Sequence, residues 1–265
     1  MAYQTCGNRL YTSPTGASGA TLTSSSTSWA NSAYAEVLAS APVACVLTGM
    51  FFRANTDGNT DMEFDVATGG AGSEVVIATF RTHCGWQTEN VGILPLAIPI
   101  DNIASGARVS IRMRKDRATA VATSVGIFYI QKPVVGTLQV STQPTKAMPS
   151  AIDSVAIINT VDVWTNSAWV QVASSLATDL AVVGVVCRPE ASTNAEWDLG
   201  TGAVSSEVVK TTFRTSHALG RHGLMIPVFA PLILSSGSRV AVRMRKQHTS
   251  DSSGHFSMMY QELPL

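Results

Sequence analysis

Charge is scarce in this chain. Only 14% of its residues are Asp, Glu, Lys or Arg, and 18 acidic residues balance 18 Lys and Arg. A chain so balanced has no general electrostatic pull toward nucleic acid or an anionic membrane, so neither is expected as a partner. Long apolar runs are missing too: none approaches the roughly 18 residues that would cross a bilayer. The opening stretch "MAYQTCGNRLYTSPTG" has no basic region followed by an apolar core, so no secretory signal is expected. No N-x-Ser/Thr sequon is present. Aromatic residues are few, at 7%, which argues against a carbohydrate module. No segment sustains an apolar period of 3.6, so helices should be few.

Patterns that carry chemistry are equally thin. The histidines are His83, His217, His222, His248 and His255, and the chain has no CxxC and no HxxxH, which argues against zinc. "GASGA" (Gly16–Ala20) lacks the final glycine of a serine-nucleophile elbow. "TGGAGSE" (Thr68–Glu74) looks like a phosphate loop, but a β-branched strand follows it where a helix would be needed, so a tight turn is expected. "DGNTD" sets Asp57, Asn59 and Asp61 at alternating positions, as calcium loops do, without the later bidentate Glu. It reads as a polar turn, with calcium as the functional alternative. A hydrolase built on a carboxylate pair stays open, because such pairing is spatial. The expectation is no enzyme, no metal and no cofactor.

What the chain does contain is a long repeat. "SEVVIATFRT" (Ser73–Thr82) returns as "SEVVKTTFRT" (Ser206–Thr215). Upstream, "WANSAYAEV" (Trp29–Val37) matches "WTNSAWVQV" (Trp164–Val172), and Gly49 and Arg53 match Gly184 and Arg188. "EFDVATG" (Glu63–Gly69) matches "EWDLGTG" (Glu196–Gly202), and "SGARVSIRMRK" (Ser105–Lys115) matches "SGSRVAVRMRK" (Ser236–Lys246). Tyr129 falls on Tyr260. The spacing slips only between Arg53 and Glu63 and between Thr82 and Gly92, where loops are expected. Two copies of roughly 100–130 residues, each with its own core, are predicted. The four cysteines (Cys6, Cys45, Cys84, Cys187) do not recur between copies, as a duplicated disulfide framework would, so free thiols and a reducing cytoplasm are expected.

Short apolar runs separated by Gly, Asn, Asp, Pro and Ser predict an all-β chain. The reading is two tandem homologous antiparallel β-sandwich (jelly-roll-like) domains with an N-terminal extended arm. Residues 1–28 form the Ser/Thr/Gly-rich arm, 29–132 the first copy, 133–163 a connector and leading strand, and 164–265 the second copy. Strand parity places Met62, Phe64 and Val66 on one face and Asp61, Glu63 and Asp65 on the other. Val109, Ile111 and Met113 point inward, while Arg108, Arg112 and Arg114 share the outer face. The second copy repeats this with Glu196 and Asp198 against Arg239, Arg243 and Arg245. These rows predict cross-strand ion pairs in an outward-facing charged patch, with an anion-binding arginine row as the alternative. "EVVIATF" is apolar on both parities and should be a central strand. Trp29 with Trp164 and Tyr34 with Trp169 recur at strand starts and are assigned to core packing, with sugar platforms as the alternative.

Low charge and abundant Ser, Thr, Ala and Val suit a surface that is buried against partners. With two small all-β copies, an arm and the "SGxRVxxRMRK" strand, the chain resembles virion proteins of tailed bacteriophages. That resemblance implies a non-enzymatic capsid-decoration, tail or fibre component, and it carries no residue roles across. A trimer of such chains would present six similar domains in a ring. The expected partners are other copies of the chain and capsid or tail proteins, in a virion assembled in the host cytoplasm. A receptor- or glycan-binding fibre module and a double-jelly-roll major capsid protein are the alternatives.

Overall fold

The structure is a computed structural model. It describes residues 10–14, 19–54, 60–84, 90–132, 141–149, 154–158, 163–189, 193–215, 225–248 and 253–263, and none of these is helical. The first half carries β1 (Leu10–Ser13), β2 (Ala20–Thr23), β3 (Ala35–Leu38), β4 (Cys45–Ala54), β5 (Thr60–Thr68), β6 (Val75–Cys84), β7 (Asn90–Ile103), β8 (Val109–Lys115) and β9 (Ala122–Gln131). The second carries β10 (Thr145–Met148), β11 (Val155–Ile158), β12 (Val170–Ala173), β13 (Leu180–Pro189), β14 (Ala195–Thr201), β15 (Val208–Thr215), β16 (Met225–Leu234), β17 (Val240–Lys246) and β18 (Ser253–Glu262).

Alternation of apolar and polar residues builds these strands. Met62, Phe64 and Val66 on β5 and Val109, Ile111 and Met113 on β8 all lie in the first core with no exposed surface. Trp197 and Leu199 on β14 with Val240, Val242 and Met244 on β17 do the same in the second. The β5–β6 turn needs glycine. Gly69 has φ +118, and a Cβ there would stand 2.7 Å from the Ser73 carbonyl oxygen. Gly202 repeats this at φ +132 and 2.8 Å from Ser206.

Each half is a jelly roll. In the first, one sheet runs β1-β9-β4-β7, with β2 also on β9, and the facing sheet runs β6-β5-β8-β3. The chain crosses between sheets in the Greek-key manner. In the second, β16-β13-β18-β10, with β11 on β18, faces β12-β17-β14-β15. The halves share a sheet: β10 runs parallel to β6, with Thr145 beside Ala78, giving one nine-stranded sheet across the molecule. Val183, Val186 and Met259 of the second half belong to the first half's core cluster.

The described part of the N-terminal segment is extended and pairs with its own sandwich. β1 pairs with β9 through Leu10↔Ile130 to Ser13↔Ile127, and β2 pairs with the same strand from Ala20↔Val125 to Thr23↔Ala122. One apolar residue anchors each strand: Leu22 is buried in the core, and Tyr11 stacks on Tyr129 at 5.5 Å. Such sparse anchoring between Ser and Thr leaves little periodic signal.

Candidate functional site

The charge rows meet on β5, which lies between β6 and β8. On the face opposite the core, Glu63 stands opposite Arg114 on β8 and Arg81 on β6. Asp65 stands opposite Arg112 and Thr79. Directly opposed side chains lie close enough to pair. Arg114 donates from Nε to Glu63 Oε1 at 2.7 Å, Arg112 to Asp65 at 2.9 Å, and the Thr79 hydroxyl to the other Asp65 oxygen at 2.8 Å. Arg108 reaches Glu36 at 2.9 Å and Glu74 at 3.1 Å. The second half repeats the set. Arg243 donates to Asp198 at 2.9 Å, Arg245 to Glu196 at 2.5 Å and Thr212 to Asp198 at 2.7 Å. Arg239 bonds Gln171 at 3.1 Å and Glu207 at 2.7 Å.

Two expectations are corrected here. The acidic rows do not stand exposed: Asp61, Glu63, Asp65, Glu196 and Asp198 are each at most 8% exposed. In the first half the segment before β3 folds across β8, with Trp29 N–H bonding the Lys115 carbonyl and Ser32 N–H the Met113 carbonyl, and in the second the segment before β12 folds across β17, with Trp164 N–H bonding the Lys246 carbonyl and Ser167 N–H the Met244 carbonyl. The recurring aromatics, in turn, lie outside the core clusters, and Trp29, Tyr34 and Trp169 stack on arginines. Arg112 sits 5.0 Å over Tyr34, Arg243 4.6 Å over Trp169, and Arg81 4.9 Å over Trp29. A guanidinium that has lost part of its water gains from a ring face. Trp29 and Trp164 hold φ of 56° and 58°, a left-handed backbone uncommon for a bulky residue. Its recurrence marks a conformation that each half enforces.

Asp61 leaves the row. It accepts from His83 Nδ1 at 2.6 Å and from the amide and hydroxyl of Ser154 at 3.0 and 2.6 Å, with Arg81 3.8 Å away. Burial pushes its carboxyl up, but His83, Arg81 and Ser154 outweigh that and hold it well below the usual range. Burial pulls His83 down to about 4, with Arg188 and His255 adding to the effect and Asp61 opposing it. Asp57 and Asn59 of the expected polar turn lie outside the described residues, as do His217 and His222. Among the described residues, no three His, Cys, Asp or Glu side chains could hold a metal ion together. The glycine turn's Gly72 amide is taken by Glu74 at 2.9 Å. Cys45, Cys84 and Cys187 are free and buried.

The two halves differ around the arginine of "TFRT". Arg81, from "TFRT", is 1% exposed and donates to the Pro149 carbonyl of the second half. Its counterpart Arg214 has a side chain 71% exposed, bonded to Glu196. Around it lies a cleft of about 260 Å³ lined by Trp164, Glu196, Arg214 and Arg245. The sequence reading missed Arg81, Arg214 and His83, although Thr79, Arg81 and His83 share the parity of the acidic row's partners on the neighbouring strand.

No protein-family model matches the chain, and no curated protein matches it. Solved structures give distant likenesses. One is "Structure of PNGF-II in C2 space group", at TM-score 0.40 and 10% identity over 97% of this chain and 66% of that one. Another is a tandem CBM22 domain of Paenibacillus barcinonensis Xyn10C, at 0.27 and 8% over 89% and 86%. A third is an archaeal virus triple jelly-roll protein, at 0.24 and 9% over 89% and 56%. The chain spans less than two thirds of the first and third. At these values no family, activity or partner passes from any of them to this chain.

Proposed function

We propose that the chain is a non-enzymatic structural component of a virion, of the tailed-bacteriophage kind it resembles in sequence. In this reading it assembles with copies of itself, as a trimer, and binds capsid or tail proteins through broad surfaces. The observation that carries the proposal is an open sheet edge. β15 is exposed or half-buried from Val208 to Arg214, whereas the near-identical β6 is buried from Ile77 to Cys84. An uncovered edge of this kind invites pairing with another chain, and proteins that stay apart blunt it. The internal matching of the charge rows supports the same reading, because it leaves those carboxylates to hold strands together. Light scattering of the purified chain over a wide concentration range tests the proposal, together with a protein inventory of purified particles. An oligomer in solution and presence in particles are expected. A monomer at every concentration, absent from particles, would refute it.

The cleft at Trp164 favours a second reading, a receptor- or glycan-binding module of a fibre. An exposed indole beside Glu196, Arg214 and Arg245 offers an apolar face with hydrogen-bonding groups. A glycan screen with Trp164→Ala as control separates the two. Binding lost in the variant would favour the module.

A further inference from the structure

The joint between the jelly rolls has two sides, and each half carries counterparts of both. On one side, β6 is buried from Ile77 to Cys84, while its counterpart β15 is open for most of its length. On the other side, all ten residues of β13 are buried. Val186 and Met259 there pack into the first half's core, while their counterparts Phe51 and Phe128 are half-buried outside both core clusters, with ring centroids 5.6 Å apart. The strand that crosses the joint, β10, has β1 as its counterpart. Among the described residues β1 pairs only with β9, and Leu10 on it is 55% exposed. The polar lock is duplicated as well. Arg81, stacked on Trp29, donates to the Pro149 carbonyl, while Arg214 beside exposed Trp164 faces no second jelly roll, and Pro14 is the counterpart of Pro149. Among the described residues there is therefore one closed joint and two open ends, and the ends are the two missing halves of that same joint.

We propose that the open β15 end receives the β1 end of a second copy of this chain. Its β1 runs parallel to β15 with Leu10 beside Thr211, as Thr145 runs beside Ala78 within the chain. Arg214 donates to the Pro14 carbonyl of the neighbour, and Trp164 and Arg214 become covered as Trp29 and Arg81 are. This rests on the self-assembly reading and gives it a surface. Strand addition at an edge supplies main-chain bonds, and the flanking apolar residues supply selectivity. The contact is head to tail, so chains add in series until a ring closes.

Two double variants test it by sedimentation. Val209→Lys with Arg214→Glu blocks one end, and Leu10→Asp with Phe51→Asp blocks the other. Wild type should sediment as multiples of 27.9 kDa. Each variant alone should be a single chain with a melting temperature near wild type. Mixed in equal amounts, they should form a complex of two chains, because each retains one intact end. Should a variant fail to fold, Leu10→Cys with Thr211→Cys replaces it. Oxidation should then give a ladder of chain multiples that reductant collapses. Wild type that assembles while the variants assemble equally, the mixture stays monomeric or the cysteines never cross-link would overturn the joint and leave self-assembly standing. Wild type that stays monomeric throughout would overturn both.

Discussion

Glu63 and Glu196 occupy the same place in their jelly rolls and titrate in opposite directions. Burial pushes Glu63 up against the pull of Arg114, while the bonds from Arg214 and Arg245 hold Glu196 down against weaker desolvation. Arg81 beside Glu63 is buried and bonded to the second half's Pro149 carbonyl, while Arg214 beside Glu196 stands in solvent. Removing Glu63 leaves arginines buried without their partner, so Glu63→Ala should cost about 3–5 kcal/mol, read by urea denaturation. Glu196→Ala leaves a solvated partner and should cost at most about 1 kcal/mol. His83 gives a pH signature. Its folded pKa of about 4 lies below the ordinary 6.5, so the unfolded chain binds the proton first. Stability from this group is complete above pH 6.5 and is lost as pH falls through 4, with about 2 kcal/mol gone by pH 5. Melting curves of His83→Gln should lose most of that slope between pH 7 and 5.

At the scale of the element, β14 and β5 carry one compensated exchange among their differences. A Cβ on Gly200 would stand 2.7 Å from the Trp169 ring and 3.0 Å from the Val208 carbonyl oxygen. The first half has Ala67 and the smaller Tyr34 at these places. Gly200→Ala should destabilise by about 1–3 kcal/mol through overpacking. Trp169→Tyr should restore most of that in a double-mutant cycle, and additive losses would refute the coupling. Alternation made β5, β8, β14 and β17 legible in the sequence, together with which side of each faces the core. Opposed parity also placed Glu63 and Asp65 within reach of Arg114 and Arg112. It did not reveal that Trp29 and Tyr34 cover this face, because an aromatic at a strand start reads alike in a core and over a guanidinium. "EVVIATF" forms central β6, yet the near-identical β15 lies at an edge. Nothing local separates the two, since the difference is whether another jelly roll stands alongside.

Across the whole molecule, the shared sheet and core couple the halves. Val186 lies 4% exposed within the first half's cluster, although β13 belongs to the second. Calorimetry should give a single unfolding transition. Val186→Asp, which places a charge in that joint, should split it in two or lower it as one. No periodicity announces this contact, because it depends on which edges meet and not on the pattern of either strand. The buried thiols turn the same architecture into a clock. Only a thiolate reacts readily with alkylating reagents. Burial pushes Cys84 up to about 12 and Cys187 well above its ordinary value, and it raises Cys45. Cys45 and Cys84 sit in the first core and Cys187 in the second. In a Cys6→Ser background, modification of each thiol therefore waits for its own jelly roll to open. The order in which the three acquire label, followed by mass spectrometry, records which half of the molecule breathes first.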